Sequence, residues 1–395
     1  MNYQSRICRV VRETPPSGIR KYFDLLSDDV ISFGVGEPDF PTPERIRRPA
    51  LDALATGRIP YSSNSGDPRL RALLLDYMRE RFDLHYDGID NLLITVGASQ
   101  ALDLAFRALI DPGDEVIFHE PSYVAYLPDI EFAGGVAVRI PTQAKDGFRV
   151  TADALRAAIT PKTKAVLLAF PTNPTGGIME RHHLEPLAEI IKEKDLLVIS
   201  DEIYAELVYD GRKHCSIASL PGMAERTIVI NGFSKAFSMT GWRLGYAAGP
   251  EELIAAMRKV HQLTMLCAPT PAQIAGIFAL ESGMETDWED VRAMHAAYAE
   301  RRRVMMEGFD ALGCPSFEPL GAFYLFPDIR KSGMKSEEFC DELLARHKVV
   351  CVPGTAFGET GEGFVRCCYA TSLDDIREGL RRIGAFFAEL ETVAP

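Results

Sequence analysis

The pattern of hydrophobic and polar positions changes once along the chain. Between about residues 92 and 250, short apolar runs rich in β-branched residues alternate with stretches of helical periodicity. This alternation is typical of an α/β layer with a largely parallel sheet. Because the runs are continuously apolar, we expect strands covered on both faces. The predicted strands are LLITVG, EVIFHEP, AVRIP, KAVLLAFP, LLVISDE, TIVING and RLGYAAG.

Beyond about residue 251 the pattern predicts a smaller α+β domain. Long helical patterns run through 251–280 and 286–311, short strands follow, and another helix covers about 373–391. The Pro-rich segment FGVGEPDFPTP at 33–43 has the composition of a rigid connector.

A chain of 395 residues is longer than one hydrophobic core usually covers, so we expect two domains. The large one has a mainly parallel seven-stranded sheet covered by helices, and the small one is α+β. The expected units are an N-terminal arm over 1–45 that joins the small domain, the large domain over 46–283 and the small domain over 284–395.

Composition and charge exclude several classes of partner. A formal net charge of −13 argues against nucleic acid, because phosphate backbones select basic surfaces. The chain has no apolar run near the roughly 18 residues of a membrane span and no apolar signal-peptide core. The eight cysteines include no CxxC pair, which favours reduced thiols and a cytoplasmic location. The histidine spacing indicates no metal site.

Candidate chemistry lies where strands end, because open α/β sheets bind ligands at the carboxyl ends of their strands. In VGASQAL, a strand ends at Val96 and the small residues Gly97, Ala98 and Ser99 open a helix. The free backbone N–H groups of such a helix start can bind phosphate. Taken alone, the motif is more typical of an ordinary turn in which Ser99 caps the helix.

Two further strand ends carry polar side chains. Asn173 lies in FPTNPTGG after KAVLLAF, either in a simple Pro/Gly turn or as a hydrogen-bond donor to a ligand. Asp201 ends LLVISD, where a buried carboxylate is costly unless it is paired. Its partner would be an arginine or a protonated ring nitrogen. Tyr204 would lie on the same side if a helical turn begins there.

The segment NGFSKAFSMTGWRLGY contains a lysine without an acidic neighbour. Lys235 follows the strand TIVING, Ser234 precedes it, and Arg243 begins the next apolar run. A single lysine is usually exposed, but this one is predicted at the same sheet edge as Asn173 and Asp201. A buried lysine has a lowered pKa and can act as a nucleophilic amine. Arg243 can hold a phosphate through its guanidinium fork.

Together these residues form a consistent set of partners for pyridoxal phosphate. That cofactor needs an amine for its aldehyde, an acid for its ring nitrogen, and donors for its phenolate and phosphate. No GxxxxGK[ST] motif is present, and GVGEPDF lacks the third glycine of a dinucleotide-binding fingerprint. Nucleotides are therefore disfavoured as ligands.

Over essentially its whole length the sequence resembles the fold-type I pyridoxal-phosphate aminotransferases of class I/II. It looks most like the subgroup that acts on aspartate, aromatic amino acids or N-acetyl-diaminopimelate. The resemblance rests on the order and spacing of the blocks GVGEPDFPTP, YSSNSGDPRLR, GDEVIFHEPSYVAY, FPTNPTGG, ISDEIYAELVY, FSKAFSMTGWRLGY and GFVRCCYA.

The resemblance implies roles for individual residues around the cofactor ring. Lys235 would bind the cofactor's aldehyde as an imine and then move the proton during catalysis. Asp201 would hold the ring nitrogen protonated, and Asn173 and Tyr204 would donate to the phenolic oxygen. Tyr123 matches the aromatic residue that stacks on the ring.

The resemblance also implies a phosphate site, a substrate site and a dimer. Ser234, Arg243 and the amides of Ala98 and Ser99 would hold the phosphate. Tyr61 matches a tyrosine that reaches the phosphate across a homodimer interface. Three residues would form the substrate pocket: Arg366 for the α-carboxylate, unless it is simply a strand-edge cation, Gly36 beside it, and Asn173.

The implied activity is transfer of the α-amino group of an L-amino acid to a 2-oxo acid, with 2-oxoglutarate expected, by a ping-pong mechanism. Some aspartate-preferring members carry a lysine at the position of Ser99, so a simple aspartate preference is weakened here. The segments SGIRKYFDL and MLCAPTPAQ favour an aromatic or N-acylated diaminopimelate donor. The donor stays open, and Arg20 is a candidate ligand for a distal carboxylate.

Two alternatives accompany this interpretation. A pyridoxal-phosphate C–S β-lyase would use the same lysine, and only the fate of the substrate carbanion would differ. A non-catalytic cofactor-binding domain of a transcription regulator would need a DNA-binding domain before this fold. The sequence ahead of GVGEPDF is too short for one.

Overall fold

The computed structural model describes residues 1, 3–16, 18–19, 21 and 29–393. Its strands in chain order are β1 (Ile31–Ser32), β2 (Leu92–Thr95), β3 (Glu115–Glu120), β4 (Val136–Pro141), β5 (Thr163–Ala169), β6 (Leu197–Asp201), β7 (Thr227–Gly232), β8 (Gly245–Ala248), β9 (Tyr324–Leu325), β10 (Val349–Val350), β11 (Val352–Pro353) and β12 (Val365–Cys368).

The helices cover much of the rest of the described chain, whereas the segment at 33–43 forms neither helix nor strand. The helices are α1 (Arg9–Glu13), α2 (Glu44–Ala55), α3 (Pro68–Phe82), α4 (Gly97–Leu109), α5 (Tyr126–Phe132), α6 (Ala152–Ala158), α7 (Arg181–Glu193), α8 (Phe233–Ala236), α9 (Glu251–Thr264), α10 (Thr270–Glu285), α11 (Glu289–Ala311), α12 (Ser336–His347) and α13 (Leu373–Val393).

The central sheet has seven strands in the order β2-β8-β7-β6-β5-β3-β4. Neighbouring strands from β7 to β4 run parallel, and β8 runs antiparallel to both β7 and β2. The carboxyl ends of β5, β6 and β7 therefore lie side by side at one edge. The predicted fold class, a mainly parallel seven-stranded α/β sheet with a smaller α+β part, is confirmed.

Successive residues of the inner strands pack on opposite faces of the sheet. In β7, Ile228 and Ile230 join an apolar cluster with Phe106 of α4, whereas Val229 joins a cluster with Leu280 of α10. Strand side chains alternate between faces, so only a sheet covered on both sides buries a continuously apolar strand. Helices on both faces therefore account for the apolar runs.

A separate apolar core holds the C-terminal part together. Helices α11 to α13 pack against the short strands around Tyr298, Phe323 and Phe386, and Phe33 joins them from the connector at 33–43. Trp288, just before α11, packs instead in a cluster of the large sheet. The domain boundaries after residues 45 and 283 stay a prediction.

The helical stretch expected over 251–280 is two helices, α9 and α10. They are separated at 265–269, within the sequence MLCAPTP. Pro269 precedes α10 and Pro271 is in its first turn. Proline cannot donate a helical hydrogen bond but is tolerated at a helix start, so it ends one helix and begins the next. Among the described helices, none is long and apolar enough to cross a membrane.

Strand β8 lies unusually close to the start of α4. A Cβ added at Gly245 would lie 2.4 Å from the carbonyl carbon of Gly97 and 2.5 Å from the amide nitrogen of Ala98. Both contacts are with backbone, which cannot rotate away as a flexible side chain can. Glycine at 245 is therefore required for this packing.

We expect Gly245→Ala to destabilise the protein by about 1–3 kcal/mol, because an extra methyl group in a closely packed site forces the backbone apart. Gly57→Ala is the matched control, since a Cβ there meets nothing within 4 Å. Urea unfolding of both variants measures the difference. Equal stability of the two variants would contradict the packing argument.

Candidate active site

One cavity of about 620 Å³ brings most of the predicted site residues together. Its walls come from the ends of β5, β6 and β7, the start of α4, the connector at 33–43 and β12. The lining residues are Ile19, Val35, Gly36, Glu37, Ala98, Ser99, Leu102, Tyr123, Val124, Tyr126, Pro171, Asn173, Asp201, Ile203, Tyr204, Ser234, Lys235, Thr240, Gly241, Arg243, Tyr324 and Arg366.

Lys235 lies in the one-turn helix α8, directly after β7, and its side chain reaches into the cavity. Its Nζ donates to the backbone carbonyl of Gly36 at 2.6 Å. The amine also lies 5.7 Å from the ring centre of Tyr204 and 5.4 Å from that of Phe323. Burial lowers the pKa of Lys235 to about 8. About a tenth of this amine is therefore unprotonated at pH 7, whereas an ordinary lysine is almost entirely protonated there.

Asp201 is buried at the end of β6 and takes part in no ion pair in the described part of the chain. Its Oδ2 accepts from the hydroxyl of Tyr126 at 2.9 Å, and its Oδ1 accepts from the amide of Ile203 at 3.1 Å. Burial raises the pKa of Asp201 to about 6, and the two hydrogen bonds oppose that rise. Among the described residues, no arginine pairs with Asp201, although an arginine was one of the two partners considered from the sequence.

Arg366 is a buried cation without a carboxylate partner among the described residues. It lies within β12 at 2% exposure, so it is not an exposed strand-edge cation. Its guanidinium donates to Asn173 Oδ1 at 3.0 Å and to the carbonyl of Gly34 at 2.5 Å, and Nε has no partner within the described chain. The charge is only partly satisfied, so the site favours an anion.

Aromatic rings enclose this arginine. The guanidinium carbon lies 4.6 Å from the ring centre of Tyr324 and 4.9 Å from that of Phe357. The hydroxyls of Tyr324 and Tyr204 share a hydrogen bond of 2.7 Å. A Cβ added at Gly36 would lie 2.5 Å from the Tyr324 hydroxyl, so glycine keeps this corner open.

Asn173 contacts Arg366 through its side-chain oxygen only. Because Oδ1 accepts from the guanidinium, the NH₂ group of Asn173 is the part that can donate to a ligand oxygen. Tyr123 lines the same cavity, and its ring meets that of Tyr126 edge-on with centres 5.6 Å apart.

The start of α4 and Arg243 form the second cationic corner. Gly97 has φ +73°, and a Cβ there would lie 2.6 Å from a guanidinium nitrogen of Arg243. The N-cap residue of α4 is Val96, whose amide donates to Gln100 Oε1 at 2.7 Å, so Ser99 is not at the capping position that the ordinary turn would give it. Ala98, Ser99 and Ser234 line the cavity beside Arg243. Arg243 donates to the carbonyl of Thr240 and makes no ion pair in the described structure.

One predicted residue of the described chain does not line the cavity. Tyr61 is 80% exposed and does not line the cavity of its own chain. Arg20 lies outside the described residues. Sequence reasoning missed Tyr126, Glu37 and Tyr324, although Tyr126 follows Tyr123 by one helical turn.

A metal site was not expected, and one cluster of potential ligands is present among the described residues. It consists of Glu180, His182 and His183 near the surface. The Glu180 carboxylate already pairs with Arg212, and Nδ1 of His183 accepts the backbone N–H of Glu180. We assign no metal to it.

Comparison with known proteins identifies the family. The family described as aminotransferase class I and II matches residues 28–383. A putative aminotransferase of Bacillus subtilis is 49% identical, covering 95% of this chain and 97% of that protein. An aspartate aminotransferase of Pyrococcus abyssi is 42% identical over 93% of this chain and 95% of its own.

A solved structure of an aminotransferase also matches this fold. The crystal structure of an aromatic aminotransferase from Pyrococcus horikoshii superposes with a TM-score of 0.89 at 39% identity, covering 95% of this chain and all of that one. The expected family and the expected transaminase activity are confirmed, whereas the amino donor and the 2-oxo acid acceptor stay predictions. This chain belongs to the aminotransferase class I and II family, and it is a transaminase of the pyridoxal-phosphate-dependent kind.

Proposed function

We propose that the cavity binds pyridoxal 5′-phosphate and that Lys235 is its covalent partner. The observation that carries this proposal is the set of unpaired charged groups in one cavity: an amine with a lowered pKa, a buried carboxylate and two arginines without acids. Pyridoxal phosphate supplies an aldehyde for the amine and a ring that delocalises negative charge from a substrate carbon. The charges present fit its functional groups.

Each group of the cofactor would have its own partner. The Asp201 carboxylate would accept from the ring nitrogen, and the NH₂ group of Asn173 and the hydroxyl of Tyr204 would donate to the phenolic oxygen. Arg243, Ser234 and the free amides of Ala98 and Ser99 would hold the phosphate, since helix starts favour anions. Tyr123 would pack on the ring.

Lys235 would move the proton at the substrate's α-carbon. Its lowered pKa supports this role, because an amine that titrates near the working pH can both accept and return a proton. The carbonyl of Gly36 would hold the free amine in place, because it accepts from Nζ at 2.6 Å. The ring centres of Tyr204 and Phe323 lie 5.7 Å and 5.4 Å from Nζ and form an apolar wall beside it.

Arg366 would hold the substrate's α-carboxylate, with Gly36 leaving room beside it. Its exposure of 2%, its unpartnered Nε and its lack of an acid among the described residues support this role. The same site would bind the incoming 2-oxo acid, for which 2-oxoglutarate is our expectation. Both half-reactions would then share one carboxylate anchor.

The lining of the cavity favours a donor with a large apolar or aromatic side chain. Ile19, Val35 and Val124 form an apolar part of the wall, and Glu37 adds a negative charge. The lining cations are Lys235, Arg243 and Arg366, and each has another proposed role. Among the described lining residues none remains to bind a distal carboxylate.

We also propose a homodimer whose sites are shared between subunits. An apolar patch supports it, formed by the exposed residues Ile59, Tyr61, Leu263, Met265 and Leu266. These residues belong to neighbouring segments, because the side chain of Asn64 donates to the carbonyl of Leu266 and that of Thr270 to the carbonyl of Pro60. Exposed apolar patches of this kind mark interaction surfaces. Tyr61 would reach the partner's phosphate site.

Arg366→Ala should raise KM for the amino donor while leaving the absorbance of the bound cofactor nearly unchanged. A charged hydrogen bond is worth about 1.5–3 kcal/mol, or roughly ten- to a hundredfold in apparent affinity. Lys235→Ala should instead abolish both the visible absorbance and turnover. Steady-state kinetics and spectra of the two variants test this contrast. Loss of the spectrum in Arg366→Ala would show that Arg366 holds the cofactor or the fold instead.

The donor proposal predicts that phenylalanine and tyrosine react faster than aspartate and N-acetyl-diaminopimelate in half-reactions without an acceptor. Ser99→Lys should shift this preference toward aspartate, whereas Ser99→Met, equally long but uncharged, should not. Stopped-flow spectra give the rates. Release of pyruvate and ammonia from a cysteine S-conjugate without an acceptor would indicate lyase activity. If Arg20→Met selectively lowers aspartate use, Arg20 binds a distal carboxylate and the apolar assignment is wrong.

The dimer proposal predicts that Leu263→Glu yields monomers with weakened cofactor binding, because it puts a charge at the most exposed residue of the apolar patch. Val136→Glu, on the sheet-edge strand β4 and away from the patch, is the control. Tyr61→Phe should weaken cofactor binding without dissociating the dimer. Analytical ultracentrifugation and cofactor titration measure both properties. A wild-type monomer with full cofactor affinity would contradict the shared site.

A further inference from the structure

Tyr126, a buried tyrosine without a role in the proposed function, donates a hydrogen bond to the Asp201 carboxylate. Tyr126 is the first residue of α5, is 4% exposed, and donates its hydroxyl to Asp201 Oδ2 at 2.9 Å. The ring of Tyr126 packs edge-on against the ring of Tyr123. The hydrogen bond to Asp201 joins a helix that follows β3 to the end of β6. The hydrogen bond therefore links two strands, β3 and β6, that are not neighbours in the sheet.

The hydrogen bonds to Asp201 fix the direction of its carboxylate. Each oxygen accepts one donor, Oδ2 from Tyr126 and Oδ1 from the amide of Ile203. A carboxylate oxygen can accept more than one hydrogen bond, so both retain capacity toward the cavity. Of these two donors, Tyr126 is a side chain and Ile203 is a backbone amide. Only the Tyr126 donor can be removed by a substitution.

The charges around Asp201 make this donor important. Burial and the neighbouring negative charge of Glu202 both raise the pKa of Asp201, whereas the amine of Lys235 lowers it. Tyr123 also faces Asp201 and carries no charge between pH 6 and 8.5, because burial raises its pKa further above an already high ordinary value. Glu202 is fully buried and accepts hydrogen bonds from Ser200, Ser216 and His214.

We propose that Tyr126 is a positioning residue for transamination, whose hydroxyl keeps the Asp201 carboxylate ionised and aimed at the cofactor's ring nitrogen. The proposal rests on the proposed function, because it requires Asp201 to face pyridoxal phosphate. Tyr126 itself touches no reacting atom of the substrate. Its effect is exerted through the charge and the orientation of Asp201.

The test is the pH dependence of pyridoxal-phosphate affinity in Tyr126→Phe, which removes one oxygen atom and retains the ring. Loss of the donor favours protonated Asp201 and moves its pKa upward by about one unit. The variant should therefore bind the cofactor about fivefold more weakly than wild type at pH 6 and equally well at pH 8.5. The sequence pI of about 5.2 makes pH 6 a practical lower limit.

Tyr298→Phe is the matched control. Tyr298 is fully buried, and its hydroxyl has no hydrogen-bond partner among the described residues. This variant should keep the wild-type pH profile. In an Asp201→Asn background position 201 no longer carries a group that titrates. Adding Tyr126→Phe should then change the affinity for pyridoxal phosphate by the same factor at every pH, or not at all.

The outcomes separate the two proposals. A loss of affinity in Tyr126→Phe that is the same from pH 6 to 8.5 would make Tyr126 merely structural and overturn the inference. An unchanged affinity would overturn it as well. Thermal unfolding checks that the variant is folded. Failure of the wild-type protein to bind pyridoxal phosphate would instead overturn the proposed function.

Discussion

The site depends on one constraint: its buried cations are held by neutral backbone carbonyls instead of carboxylates. The carbonyls of Gly34 and Gly36, two residues apart on the connector at 33–43, accept from Arg366 and Lys235. A carboxylate in either place would neutralise the cation and compete with an anionic ligand. A carbonyl offsets part of the desolvation cost and leaves the net charge intact. The connector can do this because its backbone forms no helix or sheet hydrogen bonds at these carbonyls.

The buried carboxylate of the site, Asp201, likewise has no oppositely charged partner in the described chain. Asp201 is surrounded by uncharged donors and lies close to another buried carboxylate, Glu202, so its ionised form is held by hydrogen bonds rather than by a cation. A ligand with a positive group at one end and negative groups elsewhere would satisfy all these charges together. Gly97 and Gly245 contribute by leaving out side chains where α4, β8 and Arg243 meet.

The sequence predicts the parts of the molecule that follow from local pattern. Apolar runs reveal strands because a sheet covered on both faces demands them, and their ends lead directly to Asn173, Asp201 and Lys235. Contacts that join distant segments leave no such signal, so the Tyr126 hydrogen bond and the rings of Tyr324 and Phe357 around the guanidinium were not foreseen. The break between α9 and α10 at 265–269 ends at Pro269 and is followed by Pro271, and the sequence shows both prolines. The helical periodicity on both sides led to the prediction of one continuous helix.

The position of Arg366 has a consequence for how such chains can be recombined. It is carried by β12 of the C-terminal part, yet its guanidinium is oriented by Asn173 of the large sheet and by Gly34 of the connector. Three stretches of chain, separated by more than a hundred residues each, must therefore agree on one geometry. A chimera that exchanges the C-terminal part alone takes the arginine from one parent and the two acceptors that orient it from the other. Divergence in this family would then be expected to alter these stretches together.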